Sequence, residues 1–93
     1  GEGEPIVRKF DDPRMGTVVR LTLPVGSSIG LHTHTGNCEV IYILSGSGQC
    51  IDDDTQYPVA AGMCHYCPEG HTHSIVNTGD TPLELLGVLP HVK

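Results

Sequence analysis

The chain has 93 residues, with eleven acidic and five basic side chains and a formal net charge of −6. This balance lacks the basic footprint that nucleic acids or anionic membrane surfaces require, and no apolar stretch approaches the ~20 residues of a membrane-spanning helix. We therefore predict one soluble domain over residues 1–93, in the cytoplasm, with no nucleic-acid or membrane partner.

The hydrophobic pattern predicts strands along almost the whole chain. Glycine or proline interrupts the sequence about every eight to twelve residues, a rhythm typical of an all-β sandwich or barrel. No segment carries a convincing helical period. The run Asp52-Asp53-Asp54 is predicted to be an exposed hairpin turn without chemistry. The predicted strand segments, in chain order, are 6–10, 17–23, 39–44, 49–51, 55–59, 63–67, 72–76 and 83–88.

Three histidines and one glutamate form the most informative set of residues. His32 and His34 are two positions apart, so on a strand they point to the same face. Glu39 follows five positions later, and His73 comes from a distant strand. Three imidazoles and one carboxylate make a site for a divalent transition metal, if the fold brings His73 to the others. Such a site leaves coordination positions open for water or substrate.

The four cysteines do not have the spacing of a tetrahedral zinc site. Cys64 and Cys67 form the one short pair, and on a strand they point to opposite faces. Cys38 and Cys50 are not spaced as a second pair. We predict reduced, partly buried thiols; a disulfide or a redox-sensing thiol is the unsupported alternative.

Two segments closely resemble the consensus motifs of the cupin superfamily. The first covers residues 26–46 and the second residues 62–77. All ten consensus positions are filled, and the resemblance extends over about residues 17 to 89. The matching residues are Gly26, His32, His34, Glu39 and Gly46, then Gly62, Pro68, Gly70, His73 and Asn77.

The resemblance implies a small β-barrel built as a double-stranded β-helix, a relative of the jelly roll. It also implies that His32, His34, Glu39 and His73 bind a divalent metal inside the barrel. The glycines correspond to turn positions, where a positive φ is needed. Asn77 is expected to fix the end of a strand.

The identity of the metal stays open, because this ligand set accepts Fe, Mn, Ni, Zn, Co or Cu. The alternative is a barrel that has lost its metal and keeps the histidines as polar core residues. Burying three unpaired imidazoles and a carboxylate would cost several kcal/mol, which favours the metal site.

The remaining residues near the site are assigned by strand alternation. Ile41 and Ile43 are in phase with Glu39 and are predicted to form an apolar wall. His71 is either a base or proton shuttle beside the metal ligands or a solvent-facing residue of the turn at Gly70. Of His65 and Tyr66 only one can face inward. By the same alternation, Cys38 and Tyr42 face away from the metal, and Ile75 faces inward with His73. No basic side chain is in phase to bind a strongly anionic substrate, unless Arg20 lies inside the barrel.

The resemblance implies a metalloenzyme that acts on a small organic molecule by dioxygenase, decarboxylase, isomerase or lyase chemistry. The alternative is a non-catalytic module that binds or senses a small molecule. A third, weaker hypothesis is a structural subunit that only dimerises. In all three cases exposed β-edges favour a homodimer.

Overall fold

The structure is a computed structural model that describes residues 5–91, and these residues form nine strands. Every predicted strand segment is present, and the short β3 is added between the second and third of them. The strands are β1 (Ile6–Asp12), β2 (Gly16–Leu23), β3 (His32–Thr33), β4 (Glu39–Ser45), β5 (Ser47–Asp52), β6 (Thr55–Ala60), β7 (Cys64–Cys67), β8 (Thr72–Val76) and β9 (Leu83–Pro90).

The strands form two antiparallel sheets. One sheet has five strands in the order β1-β2-β9-β4-β7, and the other has four in the order β3-β8-β5-β6. This arrangement confirms the predicted all-β class and the double-stranded β-helix. Over residues 5–91, no helix is long and apolar enough to cross a membrane.

The chain passes from one sheet to the other at Gly46. This residue alone separates β4 from β5 and has a φ of 91°. A Cβ atom on Gly46 would lie 2.7 Å from the carbonyl oxygen of Pro82, so space as well as conformation requires glycine. The sequence pattern placed Ser47 and Gly48 in the turn, whereas the structure includes both in β5.

The apolar core lies between the sheets, directly below the inward-facing histidines and glutamate. Along β4, Ile41 and Ile43 follow Glu39 on the inner face and are almost fully buried. Ile75 follows His73 on β8 in the same way. These isoleucines face inward as predicted, but they form the floor of the barrel and not the wall of the open pocket. The other members of the core cluster are Leu23, Cys50, Val59, Leu83 and Leu85.

Asn77 fixes the chain at the end of β8, as expected. Its side chain is buried, and its Nδ2 atom donates hydrogen bonds of 2.9 Å to the carbonyl oxygens of Leu23 and Thr81. Its Oδ1 atom accepts a hydrogen bond of 2.9 Å from the amide of Gly79. All polar atoms of the amide side chain therefore serve the fold.

The cysteines occupy the environments that the sequence predicts. None of the four is in a disulfide, Cys64 is exposed and Cys67 is buried. Burial raises the pKa of Cys67 to about 11 and also raises the pKa of Cys50. Both buried thiols are therefore protonated at neutral pH.

Candidate metal centre

The fold brings the three histidines and the glutamate together at one end of the barrel. Glu39 is the first residue of β4, and His73 lies on β8 directly opposite His32 of β3. His34 follows β3, where its amide donates to the carbonyl oxygen of His71 at 3.3 Å. Their donor atoms all lie within 4.8 Å of one another, and we refer to these four residues as the quartet.

The spacing of the donor atoms matches a metal site with ligands at right angles. The Nε2 atom of His73 lies 2.9 Å from Glu39 Oε1, 2.9 Å from His34 Nε2 and 3.0 Å from His32 Nε2. Donors about 2.0–2.2 Å from a metal and at right angles to each other are about 2.8–3.1 Å apart. The His32 Nε2 and Glu39 Oε1 atoms are farther apart, at 3.8 Å. The quartet can therefore hold a divalent ion.

Hydrogen bonds at the Nδ1 atoms of His32 and His34 leave the lone pairs of their Nε2 atoms directed into the quartet. His32 Nδ1 lies 3.0 Å from the carbonyl oxygen of Gly30, which can only accept, so this nitrogen carries the proton. His34 Nδ1 lies 2.9 Å from Asn37 Oδ1 and is protonated for the same reason. Their Nε2 atoms then face each other and the carboxylate as bare acceptors, and a cation between them satisfies all of these atoms.

Glu39 is held as a carboxylate. Burial acts to raise its pKa, but the adjacent rings of His73 and His34 outweigh burial and leave the pKa below its usual value. The side chain crosses strand β9 at Gly87, where an added Cβ atom would lie 2.8 Å from Glu39 Oε2. Gly87 therefore leaves the space in which the carboxylate lies.

Two further residues contact the site: Tyr57, which the sequence did not single out, and His65, which the sequence left as an alternative to Tyr66. His65 is the inward-facing member of the His65–Tyr66 pair, because it lies opposite Ile41 in the β4–β7 ladder. Its Nε2 atom lies 2.9 Å from His73 Nδ1, and its Nδ1 atom lies 2.5 Å from Tyr57 Oη. The alternation of β7, with buried Cys67 two residues later, is the sequence signal that could have selected His65.

The structure places His71 on the surface and not against the quartet. Its Nδ1 atom is 2.6 Å from Asp53 Oδ2, and Asp53 Oδ1 accepts the amide of Thr72 at 3.0 Å. Asp53 lies in the predicted exposed turn between β5 and β6, with a φ of 52°. These contacts join the turn to the start of β8, and a role for His71 as a base beside the metal ligands stays a prediction.

An open pocket of about 490 Å³ leads to the quartet. Its walls are largely apolar, and His32, His34 and Glu39 lie at its base. The walls come mainly from the first two strands, whose inward-facing residues alternate with outward-facing ones. The other lining residues are Pro5, Val7, Lys9, Thr17, Val19, Leu21, Ser28, Ile29, Asn37 and Leu89.

Lys9 is the only lysine or arginine among the described residues that line this pocket. It lies opposite Val19 in the β1–β2 ladder, with its side chain on the pocket face. Arg20 lies on the other face, where its Nη2 atom donates to Glu84 Oε1 at 2.8 Å. Arg20 is therefore not the cation of the site.

Known proteins are similar to this chain in sequence and in fold. An oxalate-binding protein of Thermotoga maritima is 47% identical over 70 residues, which are 75% of this chain but only 58% of that protein. An uncharacterized protein of Methanocaldococcus jannaschii is 35% identical over 86 residues, covering 87% of this chain and 69% of the relative. A crystal structure from Thermotoga maritima, described as a predicted oxalate decarboxylase, matches with a TM-score of 0.91 and 37% identity, over 97% of this chain and 83% of that one.

The model of the cupin domain family matches residues 19–89, a range that contains the whole quartet. The match covers well over half of the chain. The quartet occupies the positions that the two sequence motifs indicated, and the sheets have the arrangement that the motifs implied. The chain belongs to the cupin family.

Proposed function

We propose that the chain binds a divalent metal ion through the quartet and uses it to hold a small carboxylate of the oxalate class. The observation that carries this proposal is the open pocket, which ends on three of the four metal-binding side chains. A bound ion supplies a concentrated positive charge that attracts carboxylate oxygens. The oxalate-binding relative at 47% identity supports the choice of ligand.

The donor geometry favours a ligand with two adjacent oxygen donors. Four protein donors, with His73 near right angles to the other three, fill part of an octahedral set and leave two positions open. Oxalate presents two linked carboxylates and can occupy both positions. The same geometry favours Mn(II), Fe(II), Co(II) or Ni(II) over Zn(II), which prefers a tetrahedral site.

Equilibrium dialysis with radiolabelled oxalate and Mn(II) tests this proposal, because it measures bound metal and bound oxalate in the same sample. We expect one oxalate per metal-loaded chain and none on the metal-free protein. Formate, with a single carboxylate, should compete weakly. If the Mn(II)-loaded protein retains its metal but binds no oxalate, the proposed ligand class is wrong.

Lys9 is expected to contribute to the affinity for a dianion. Replacing it with methionine removes the positive charge and keeps much of the apolar stem. Because Lys9 is exposed, we expect oxalate affinity to fall by no more than about fivefold, or about 1 kcal/mol. Arg8→Met is the matched control, since Arg8 is the adjacent cation on the opposite face of β1. Equal losses in the two variants would contradict a specific role for Lys9.

A metalloenzyme is the second candidate, and the open coordination positions at the base of the pocket favour it. Decarboxylation of oxalate consumes one proton and yields formate and CO₂, so it needs a proton donor. Among the described pocket residues, Lys9 is the only titratable side chain outside the quartet, which makes binding the better supported function. Formate production from oxalate, followed by NMR, would establish turnover.

The homodimer and the cytoplasmic location stay predictions. β1 is an edge strand whose Ile6, Val7 and Phe10 side chains are 53–64% exposed, which supports a contact between chains. Tyr42 also faces outward, as its phase on β4 predicts.

A further inference from the structure

A chain of hydrogen bonds leads from the quartet through the interior to Tyr57. The Nδ1 atom of His73 lies 2.9 Å from His65 Nε2, and His65 Nδ1 lies 2.5 Å from Tyr57 Oη. The Sγ atom of Cys50 lies 3.5 Å from the same His65 nitrogen. His73 and Cys50 are fully buried, and His65 is 3% exposed. The contact between the His65 and His73 rings is therefore shielded from solvent.

The Nδ1 atom of each quartet histidine points away from the centre, and the partner of Nδ1 in His73 differs from the partners in His32 and His34. In His32 and His34 that nitrogen faces an oxygen acceptor, which fixes the tautomer. His73 faces another imidazole, and an imidazole nitrogen either donates or accepts. The tautomer of His73 therefore depends on the tautomer of His65.

We propose that His65, anchored by Tyr57, is a positioning residue that holds His73 in its metal-binding tautomer. In this state His73 Nδ1 donates to His65 Nε2, His65 Nδ1 donates to Tyr57 Oη, and the lone pair of His73 Nε2 points into the quartet. With the reverse direction of donation, a proton would occupy His73 Nε2 and block the site. The proposal rests on the proposed metal site.

The environment keeps both groups in the required neutral forms. Burial disfavours a charged ring at His65, which is 3% exposed. Burial is also the main reason that the pKa of Tyr57 is raised, so its hydroxyl keeps its proton. That hydroxyl lies 2.5 Å from His65 Nδ1 and can accept its proton.

Three variants separate this role from simple packing. His65→Gln keeps an oxygen acceptor near the position of Nε2, His65→Met fills similar space without an acceptor, and Tyr57→Phe removes only the hydroxyl. Co(II) affinity is measured by competition with a chromophoric chelator. We expect the Co(II) affinity to fall about 10- to 100-fold in His65→Met, which is typical for loss of a residue that hydrogen-bonds to a metal ligand. The affinity should fall much less in His65→Gln. The Co(II) affinity of Tyr57→Phe should lie between those of the two His65 variants.

The tautomer itself is measured by ¹⁵N NMR of the His73 ring in metal-free protein. Because Glu39 Oε1 lies 2.9 Å from His73 Nε2 and competes with His65 for the ring proton, the wild type is compared with the variant. We expect a larger share of rings with a protonated Nδ1 in the wild type than in His65→Met. An equal or smaller share in the wild type would overturn the proposal, as would equal loss of Co(II) affinity in the Gln and Met variants. This measurement needs no metal, so the tautomer can be tested even if the proposed metal site fails.

Discussion

Replacing His73 with alanine is expected to abolish metal binding. The His73 ring is fully buried, and its Nε2 atom is within 3.0 Å of the donor atoms of the other three quartet residues. Without it, the remaining donors are two histidines and a carboxylate with a cavity between them. Elemental analysis should show a metal content near one per chain in the wild type and near zero in the variant.

Thermal unfolding gives a second measurement of the same loss. Metal at about 100 times its Kd adds about 2.7 kcal/mol to the stability of the folded state, which corresponds to a rise in Tm of about 10–20 °C for a small domain. We expect this rise in the wild type and in His91→Ala, whose exposed ring lies outside the quartet. The same rise in His73→Ala would show that the ion binds elsewhere.

Replacing Gly87 with alanine is expected to lower metal affinity without removing any ligand. The new methyl group would lie 2.8 Å from Glu39 Oε2 and 3.0 Å from Val19 Cγ1, both closer than van der Waals contact allows. β9 is hydrogen-bonded between β2 and β4 and cannot retreat, so the carboxylate must move. We expect Co(II) affinity to fall at least about tenfold.

A general loss of stability has to be separated from this displacement. Gly48→Ala serves as the control, because its Cβ atom would lie 2.3 Å from the backbone oxygen of Val76, at the opposite end of β8 from His73. This variant should unfold at a lower temperature and still bind Co(II) with nearly normal affinity. If Gly87→Ala binds Co(II) like the wild type, the carboxylate is less constrained than its contacts indicate.

The strands and the quartet were accessible from the sequence because their signals are local. Residues with positive φ end the strands at Gly26, Gly46, Gly62 and Gly70, and each is a glycine that the motifs single out. Between the turns, the period of two places Glu39 with Ile41 and His73 with Ile75. Only the approach of β3 to β8, which joins the two motifs, required the family resemblance.

The supporting residues were not accessible, because they depend on which strands lie side by side. His65 reaches His73 from a strand of the opposite sheet, and Tyr57 reaches His65 from β6. Gly87 is explained only by the side chain that crosses over it from the neighbouring strand. Lys9 could not be assigned to the pocket because the alternation of β1 does not indicate which face meets the barrel.

The pocket wall and the quartet belong to different parts of the sheets. Val7 and Lys9 lie on β1, which among the described strands is hydrogen-bonded only to β2, whereas the quartet is distributed over β3, β4, β8 and the segment after β3. Changes in β1 therefore alter the size and charge of the pocket while the donor distances stay fixed. A substitution in this one strand can therefore change which ligand fits the pocket without replacing a quartet residue.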